Sequence, residues 1–318
     1  MQQTQLIMDI DPGIDDALAL AYACSHTTTI DLLAVTCIYG NVPVQQAGQN
    51  ALALLKLLDR EEVPVYLGEA NPMQALDYEV SVDAKRKHGA NGLGNIDLPT
   101  SDRQIEETAA VDFLLEAART YGKSLAILAA GPLTNIAACL ERDPAFLSRI
   151  GHLVVMGGAF LIEGSVTSFA ETNTSKDPQA SHQVVSQGGP ISIVGLDVTL
   201  RTLLPESKAR QWFNSSDPVR QKLGQMACHY IEAYQAVQPH TIGCPIHDAL
   251  ALHAVLAPED FSFLKLPVKV EQTGVARGRM VGDKQRLSDF ASHVQVAVNL
   301  DVTTFEKSFL QAIESRRL

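Results

Sequence analysis

Nine consecutive residues near the start, Asp9-Ile10-Asp11-Pro12-Gly13-Ile14-Asp15-Asp16-Ala17, place four carboxylates within eight positions. An apolar run, Leu6-Ile7-Met8, precedes them, and a second run, Ala17 to Tyr22, follows. The pattern predicts a strand, a tight Pro-Gly turn and a helix. Asp9 and Asp11, two apart on a strand, share a face. Asp15 and Asp16 fall in the first helical turn, where peptide dipoles favour anions. Repulsion remains: two like charges about 5 Å apart repel by roughly 3 kcal/mol at an effective dielectric of about 20. Folding free energies total only about 5–15 kcal/mol, so several such pairs call for a bound cation. Helix capping by Asp11, with Asp15 and Asp16 as dipole partners, accounts for one or two of these aspartates but not for four.

The elements that must position this cluster alternate between strand-like and helix-like. Strands are predicted at residues 30–38, 63–67, 125–129, 152–156 and 191–196, and near Val268 and Val294. Helices are predicted at 45–58, 105–121, 131–140, from Asp177, at 205–213 and 217–237, from His247, and at 303–315. Residues 70–104 and 159–176 are polar and irregular, and long connections of this kind are often functional. The alternation predicts a single α/β domain over residues 1–318, with a mostly parallel central sheet flanked by helices. Ligands in such folds gather beyond the carboxyl ends of the strands. Asp11, Asn41, Gly131 and Gly158 all follow predicted strands.

Composition narrows the class. At 318 residues and 46% apolar content the chain can bury a large core, and its net charge of −11 disfavours nucleic acid and anionic membranes. No run of about 18 apolar residues occurs, so no membrane span is expected. The N-terminus, MQQTQLIMDID, lacks a basic segment followed by a cleavable apolar stretch. Cys24, Cys37, Cys139, Cys228 and Cys244 show no C-x-x-C spacing and read as reduced thiols of a cytoplasmic protein.

The motif D-x-D-P-G-x-D-D-A resembles the N-terminal signature of the nucleoside hydrolases, the inosine-uridine-preferring N-ribohydrolase superfamily. The likeness continues along nearly the whole chain. Tyr39-Gly40-Asn41 matches the family's G-N, which implies that Asn41 contacts ribose. His88-Gly89-Ala90-Asn91-Gly92-Leu93 resembles H-G-x-x-G-L, whose histidine lies near the base, on a segment suited to a lid. Ala170-Glu171-Thr172-Asn173 resembles A-E-F-N, so Glu171 and Asn173 would grip ribose hydroxyls. Thr172 departs from the usual aromatic, and Ser165 stands where an Asn is usual. Cys244-Pro245-Ile246-His247-Asp248 supplies the His-Asp pair that closes the site.

The resemblance implies calcium held by the side chains of Asp11, Asp16 and Asp248 and by the backbone carbonyl of Ala130. Calcium prefers such all-oxygen shells of 6–8 ligands. Asp11 would also accept the proton of the attacking water, and Asp15 would bind a ribose hydroxyl. Asp9 would hold the loop. His247, titrating near neutrality, would protonate the leaving base. For Asp248 the alternative is a helix N-cap; for His88, an exposed loop histidine. Tyr230 and Tyr234, one helical turn apart, either flank the base or pack in the core. His240 lies in an irregular stretch and is left open.

The activity implied is calcium-dependent hydrolysis of the N-glycosidic bond of ribonucleosides, purine or pyrimidine, by a homodimer or homotetramer. Two other classes compete. A phosphatase with a strand-borne D-x-D would need D-x-T or D-x-V and a later Lys, whereas Pro12-Gly13 follows here. A catalytically silent calcium-dependent nucleoside or sugar binder would have no need of both Asp11 and His247.

Overall fold

A nine-stranded sheet forms the centre of the computed structural model, which describes residues 3–315; the first two and last three residues of the expected domain lie outside the described range. In chain order the strands are β1 (Thr4–Ile10), β2 (Ile30–Cys37), β3 (Val65–Leu67), β4 (Leu125–Ala129), β5 (His152–Met156), β6 (Ile191–Val194), β7 (Leu203–Pro205), β8 (Gly243–Pro245), β9 (Phe261–Val270), β10 (Met280–Gly282) and β11 (His293–Leu300). The order across the large sheet is β10-β9-β11-β6-β5-β4-β1-β2-β3, with β7 and β8 paired separately. From β3 to β11 the pairings are parallel; β9 and β10 extend that edge antiparallel.

Strands covered on both faces read as continuous apolar runs. In β4 and β6 every residue is buried. In β1, Leu6, Met8 and Ile10 enter the core on one face and Ile7 enters the core on the other, the period of two expected of a strand. The molecule is a single α/β domain with helices on both faces of the sheet, as the alternation predicts.

Two helices matter most for position. Ile14–Cys24 and His247–Leu256 are buried along nearly their whole length and pack against each other. A helix apolar all round belongs in a core. Their packing sets the first turn of one, with Asp15 and Asp16, beside the first turn of the other, with His247 and Asp248. The cap of Ile14–Cys24 is Gly13, and its N–H donates to Asp16 Oδ2 at 2.8 Å. Asp11 therefore caps nothing. Ile246 occupies the cap position of His247–Leu256, so Asp248 is not a cap either.

Several boundaries differ from expectation: the strand expected at 191–196 ends at Val194 and Leu196–Thr199 is helical, the helix expected from 131 begins at Thr134, and the strand expected from 63 begins at Val65. The helix expected from residue 105 begins at Ala110, because Glu106 pairs as an extended residue with Tyr66 and its N–H donates to Val65 O at 2.9 Å. The stretch 70–104 contains a helix, Val82–His88, whose cap Ser81 accepts from Ala84 N–H at 3.1 Å. Its charged sequence VDAKRKH shows almost no apolar period, and it is held by packing on the helix Pro218–Gln235. Residues 159–176, read as irregular, end in the short helix Thr172–Lys176.

Candidate active site

Connections leave β1 toward β2 on one side, while β4 pairs on the other side of β1, so the sheet switches direction between β1 and β4. The crevice beyond such a switch is where ligands bind in open α/β sheets. Asp11 lies just past β1 and Ala130 just past β4. Asp9, Asp11, Asp15, Asp16 and Asp248 are all at most 8% exposed.

Asp9, Asp11, Asp15 and Asp16 each have one oxygen hydrogen-bonded and one without a partner. Asp11 Oδ2 accepts from the Asn41 N–H at 2.7 Å and from Lys176 Nζ at 2.8 Å. Asp16 Oδ2 accepts from Gly13 N–H and, at 3.4 Å, from Asn41 Nδ2. Asp15 Oδ2 faces the Tyr230 hydroxyl at 3.5 Å. The remaining oxygens, Asp9 Oδ2, Asp11 Oδ1, Asp15 Oδ1 and Asp16 Oδ1, are buried without a hydrogen-bond partner. Buried polar atoms are normally satisfied, so orphaned anionic oxygens clustered in this way fit a hard cation. Oxygens of Asp15, Asp16 and Asp248 all lie within 4.8 Å of one another. Asp11 stands outside that mutual group, turned toward Lys176. Asp9 sits apart as expected: its Oδ1 accepts from Thr36 Oγ1 at 2.6 Å and from Asn135 Nδ2 at 2.7 Å, tying β1 to β2 and to the segment after β4.

Glu171 is spent largely on the backbone. Its oxygens accept from the N–H groups of Gly158, Asn173 and Thr174, capping Thr172–Lys176. Asn173 Nδ2 donates to the Ala130 carbonyl at 2.8 Å, which fixes that carbonyl and leaves it a second lone pair. The departures from the family pattern touch: Ser165 Oγ and Thr172 Oγ1 are 2.9 Å apart. Gly40 is required by close approach, because a Cβ there would fall 1.8 Å from Asp11 Oδ2.

His88 is buried rather than an exposed loop histidine. It ends the helix Val82–His88, and its Nδ1 accepts from Ile14 N–H at 3.1 Å. An amide donor on Nδ1 places the ring proton on Nε2. Burial, then the Lys176 charge, holds its pKa well below the usual histidine value.

A cavity of about 360 Å³ lies over this cluster, lined among others by Asp15, Asn41, Ala130, Glu171, Asn173 and Asp248, and also by His88, Tyr230, Tyr234 and His247. Its size suits a small organic ligand. The two tyrosines stand edge to face at 5.0 Å and belong to the cavity wall as well as to the packing. Tyr234 Oη lies 3.3 Å from His247 Nε2, and His247 Nδ1 lies 2.8 Å from Thr199 Oγ1. The cavity adjoins a second of about 530 Å³ that His240 helps to line. One expectation changes here. Burial, with Lys87 nearby, lowers the His247 pKa to about 3, so the imidazole is neutral near pH 7 in the empty cavity.

Residues missed in the sequence include Lys176, Thr199 and Met156. Lys176 carried the clearest signal: a lysine three positions beyond Asn173, in a chain whose acids cluster elsewhere. Thr199 and Met156 sit among ordinary apolar neighbours and carried none.

Burial raises the carboxylates in the absence of a cation: Asp9 to about 7 and Asp15 to about 6. Asp16 and Asp248 are pushed well above the usual range by burial and then by their neighbours. A carboxylate whose folded pKa exceeds its unfolded value contributes full stability below the unfolded value, near 4, and loses it as pH rises through the folded value. The metal-free protein is therefore expected to lose stability between about pH 4 and 7. Thermal melts of chelator-treated protein should give a lower Tm at pH 8 than at pH 5, and added calcium should raise Tm more at pH 8. Equal metal-free Tm at both pH values would show that the cluster carries no such strain.

The family model described as inosine-uridine preferring nucleoside hydrolase matches residues 6–307. The chain belongs to this family. It is a ribonucleoside hydrolase, an enzyme that cleaves N-glycosidic bonds, in a family that depends on metal. Uridine nucleosidase 1 of Arabidopsis thaliana is 34% identical over 280 residues, which cover 88% of this chain and 82% of that protein. The inosine-uridine preferring nucleoside hydrolase of Crithidia fasciculata is 30% identical, covering 98% and 97% of the two chains. Among solved structures, the purine-preferring ribonucleoside hydrolase from Gardnerella vaginalis superposes with a TM-score of 0.94 at 39% identity, covering 98% of each chain. In this nucleoside hydrolase no described helix is long and apolar enough to cross a membrane.

Proposed function

We propose that the protein hydrolyses ribonucleosides of both purine and pyrimidine bases to ribose and free base, with calcium as its cation. The observation that carries this reading is the cavity whose wall joins Asp15, Ala130 and Asp248 to His247 and Tyr234, with the orphaned carboxylate oxygens clustered beside it.

Asp11 Oδ1, Asp16 Oδ1, Asp248 and the Ala130 carbonyl would hold the ion. When bound, calcium would orient the sugar diol and the attacking water and make that water more acidic. Asp11, held through Oδ2, accepts the water's proton at Oδ1. Asp15, Asn41, Glu171 and Asn173 take the ribose hydroxyls. Tyr230 and Tyr234 flank the base, with His88 offering its Nε2–H. His247 and Tyr234 deliver a proton to the departing base. The neutral resting imidazole is compatible with that role: negative charge growing on the base favours the protonated ring, so His247 takes a proton from solvent as the bond breaks and passes it to the base nitrogen.

The relatives' names span uridine, inosine-uridine and purine preference, which supports activity on both base classes. The His247–Tyr234 pair over the cavity disfavours a silent binder. Cytoplasmic location and assembly into a homodimer or homotetramer belong to the same proposal; no disulfide joins the described cysteines, in keeping with a reducing compartment. The test is release of base from uridine and inosine by chelator-treated protein, before and after calcium is restored. Turnover should vanish and return with calcium. Full turnover in excess chelator would overturn the calcium assignment.

A further inference from the structure

Lys176 runs against the chemistry of this site. A centre built to hold a cation has an ammonium group buried in it. The Lys176 side chain is 8% exposed, and its Nζ lies 2.8 Å from Asp11 Oδ2, itself on a side chain 1% exposed. The placement is rigid. Lys176 ends the helix that Glu171 caps through backbone amides. The next residue, Asp177, caps the following helix through Ala180 N–H and also accepts from Thr134 Oγ1 and Met73 N–H. Gly40 leaves the room: a Cβ there would meet both Asp11 Oδ2 and Lys176 Nζ. Tyr78 Oη donates to the Gly40 carbonyl at 2.6 Å, bracing the same turn.

We propose that Lys176 is a built-in counter-charge of the cation site, which keeps Asp11 from turning both oxygens onto the ion and so trades metal affinity for a correctly aimed proton acceptor. This rests on the calcium site proposed above. Two donors, Lys176 Nζ and Asn41 N–H, occupy Asp11 Oδ2, so only Oδ1 is available to cation and water. Without the ammonium only the Asn41 N–H holds Oδ2, so the carboxylate turns more readily to bring both oxygens onto the ion, and one positive charge no longer opposes it. A positioning residue of this kind has an unusual signature. Its removal strengthens metal binding and weakens turnover.

The test uses Lys176→Met, which keeps the stem length and removes the charge, beside Lys176→Arg, which keeps the charge. Calcium alone is titrated into chelator-treated protein by calorimetry, and kcat on uridine is measured at saturating calcium. A unit charge a few ångströms from the ion changes affinity by about tenfold to a hundredfold at an effective dielectric near 20. Lys176→Met should bind calcium tighter by about that factor while kcat falls about tenfold or more. Lys176→Arg should stay near the wild-type affinity. If the metal-free methionine variant does not fold, competition between the loaded, folded variant and a fluorescent chelator gives the same comparison. Unchanged or weaker calcium binding by Lys176→Met would overturn the proposal, since a merely structural lysine would lower affinity, Tm and kcat together. A wild-type protein that binds no calcium would instead overturn the calcium site, and this proposal with it.

Discussion

Asp11→Asn is expected to abolish turnover of every nucleoside, by more than about 10⁴-fold. That is the upper end of what a proton acceptor alone supplies, and the substitution also removes charge from the cation shell. Asn keeps the shape of the side chain, and its Oδ1 can still accept from Asn41 N–H and Lys176 Nζ. Loss of activity with an intact fold by circular dichroism is therefore the expected pairing. His247→Ala provides the contrast. It should lower turnover of uridine and inosine by about 10²–10⁴-fold, the usual worth of general acid catalysis. p-Nitrophenyl riboside, whose leaving group needs no proton, should escape most of that loss. Two observations aim the imidazole at the base end: Nδ1 is anchored on Thr199 and Nε2 meets Tyr234. Equal losses on both kinds of substrate would mean that His247 positions sugar or metal. The proton donor would then be sought at His88, whose Nε2–H is set by the Ile14 amide. An Asp11→Asn variant retaining a tenth of wild-type activity would remove Asp11 from the chemistry.

The second large effect concerns the sugar. Uridine should be turned over about 10⁴–10⁵-fold more efficiently than 2′-deoxyuridine, compared as kcat/KM. A site built to bind a hydroxyl rejects the analogue that lacks it by that order, because its own buried polar groups are left unpaired. Asp15 Oδ1 is the group at stake: it is buried without a donor, on a residue that lines the cavity. Asn173 does not offer the same leverage, because its amide already serves the Ala130 and Met156 carbonyls. Comparable turnover of the two substrates would contradict the assignment of Asp15 to ribose and leave it as a further ligand of the cation, beside Asp16 and Asp248.

The D-x-D-P-G-x-D-D-A segment determined the local architecture by itself. An apolar strand, a Pro-Gly turn and an apolar helix are short-range features, and so is the excess of negative charge that demands a counter-ion. The alternation of strands and helices determined the α/β class for the same reason: periodicity is a property of consecutive residues. The family motifs carried Asn41, His88, Glu171, Asn173, His247 and Asp248 to one cavity without knowledge of any distance between them.

Tertiary structure decided the rest. Which oxygen of each aspartate is free depends on donors from far along the chain, such as Lys176 for Asp11 and Tyr230 for Asp15. His88 reads as a loop residue until the helix Val82–His88 is seen docked on another helix. The protonation of His247 depends on burial, which sums contributions from all elements packed around it. These properties arise between segments distant in sequence, and they are set by desolvation and hydrogen bonding across the fold. Lys176 makes the point most sharply: as a residue it is one of 25 lysines and arginines, and only the fold, which sets the end of Thr172–Lys176 against Asp11, brings it to the site.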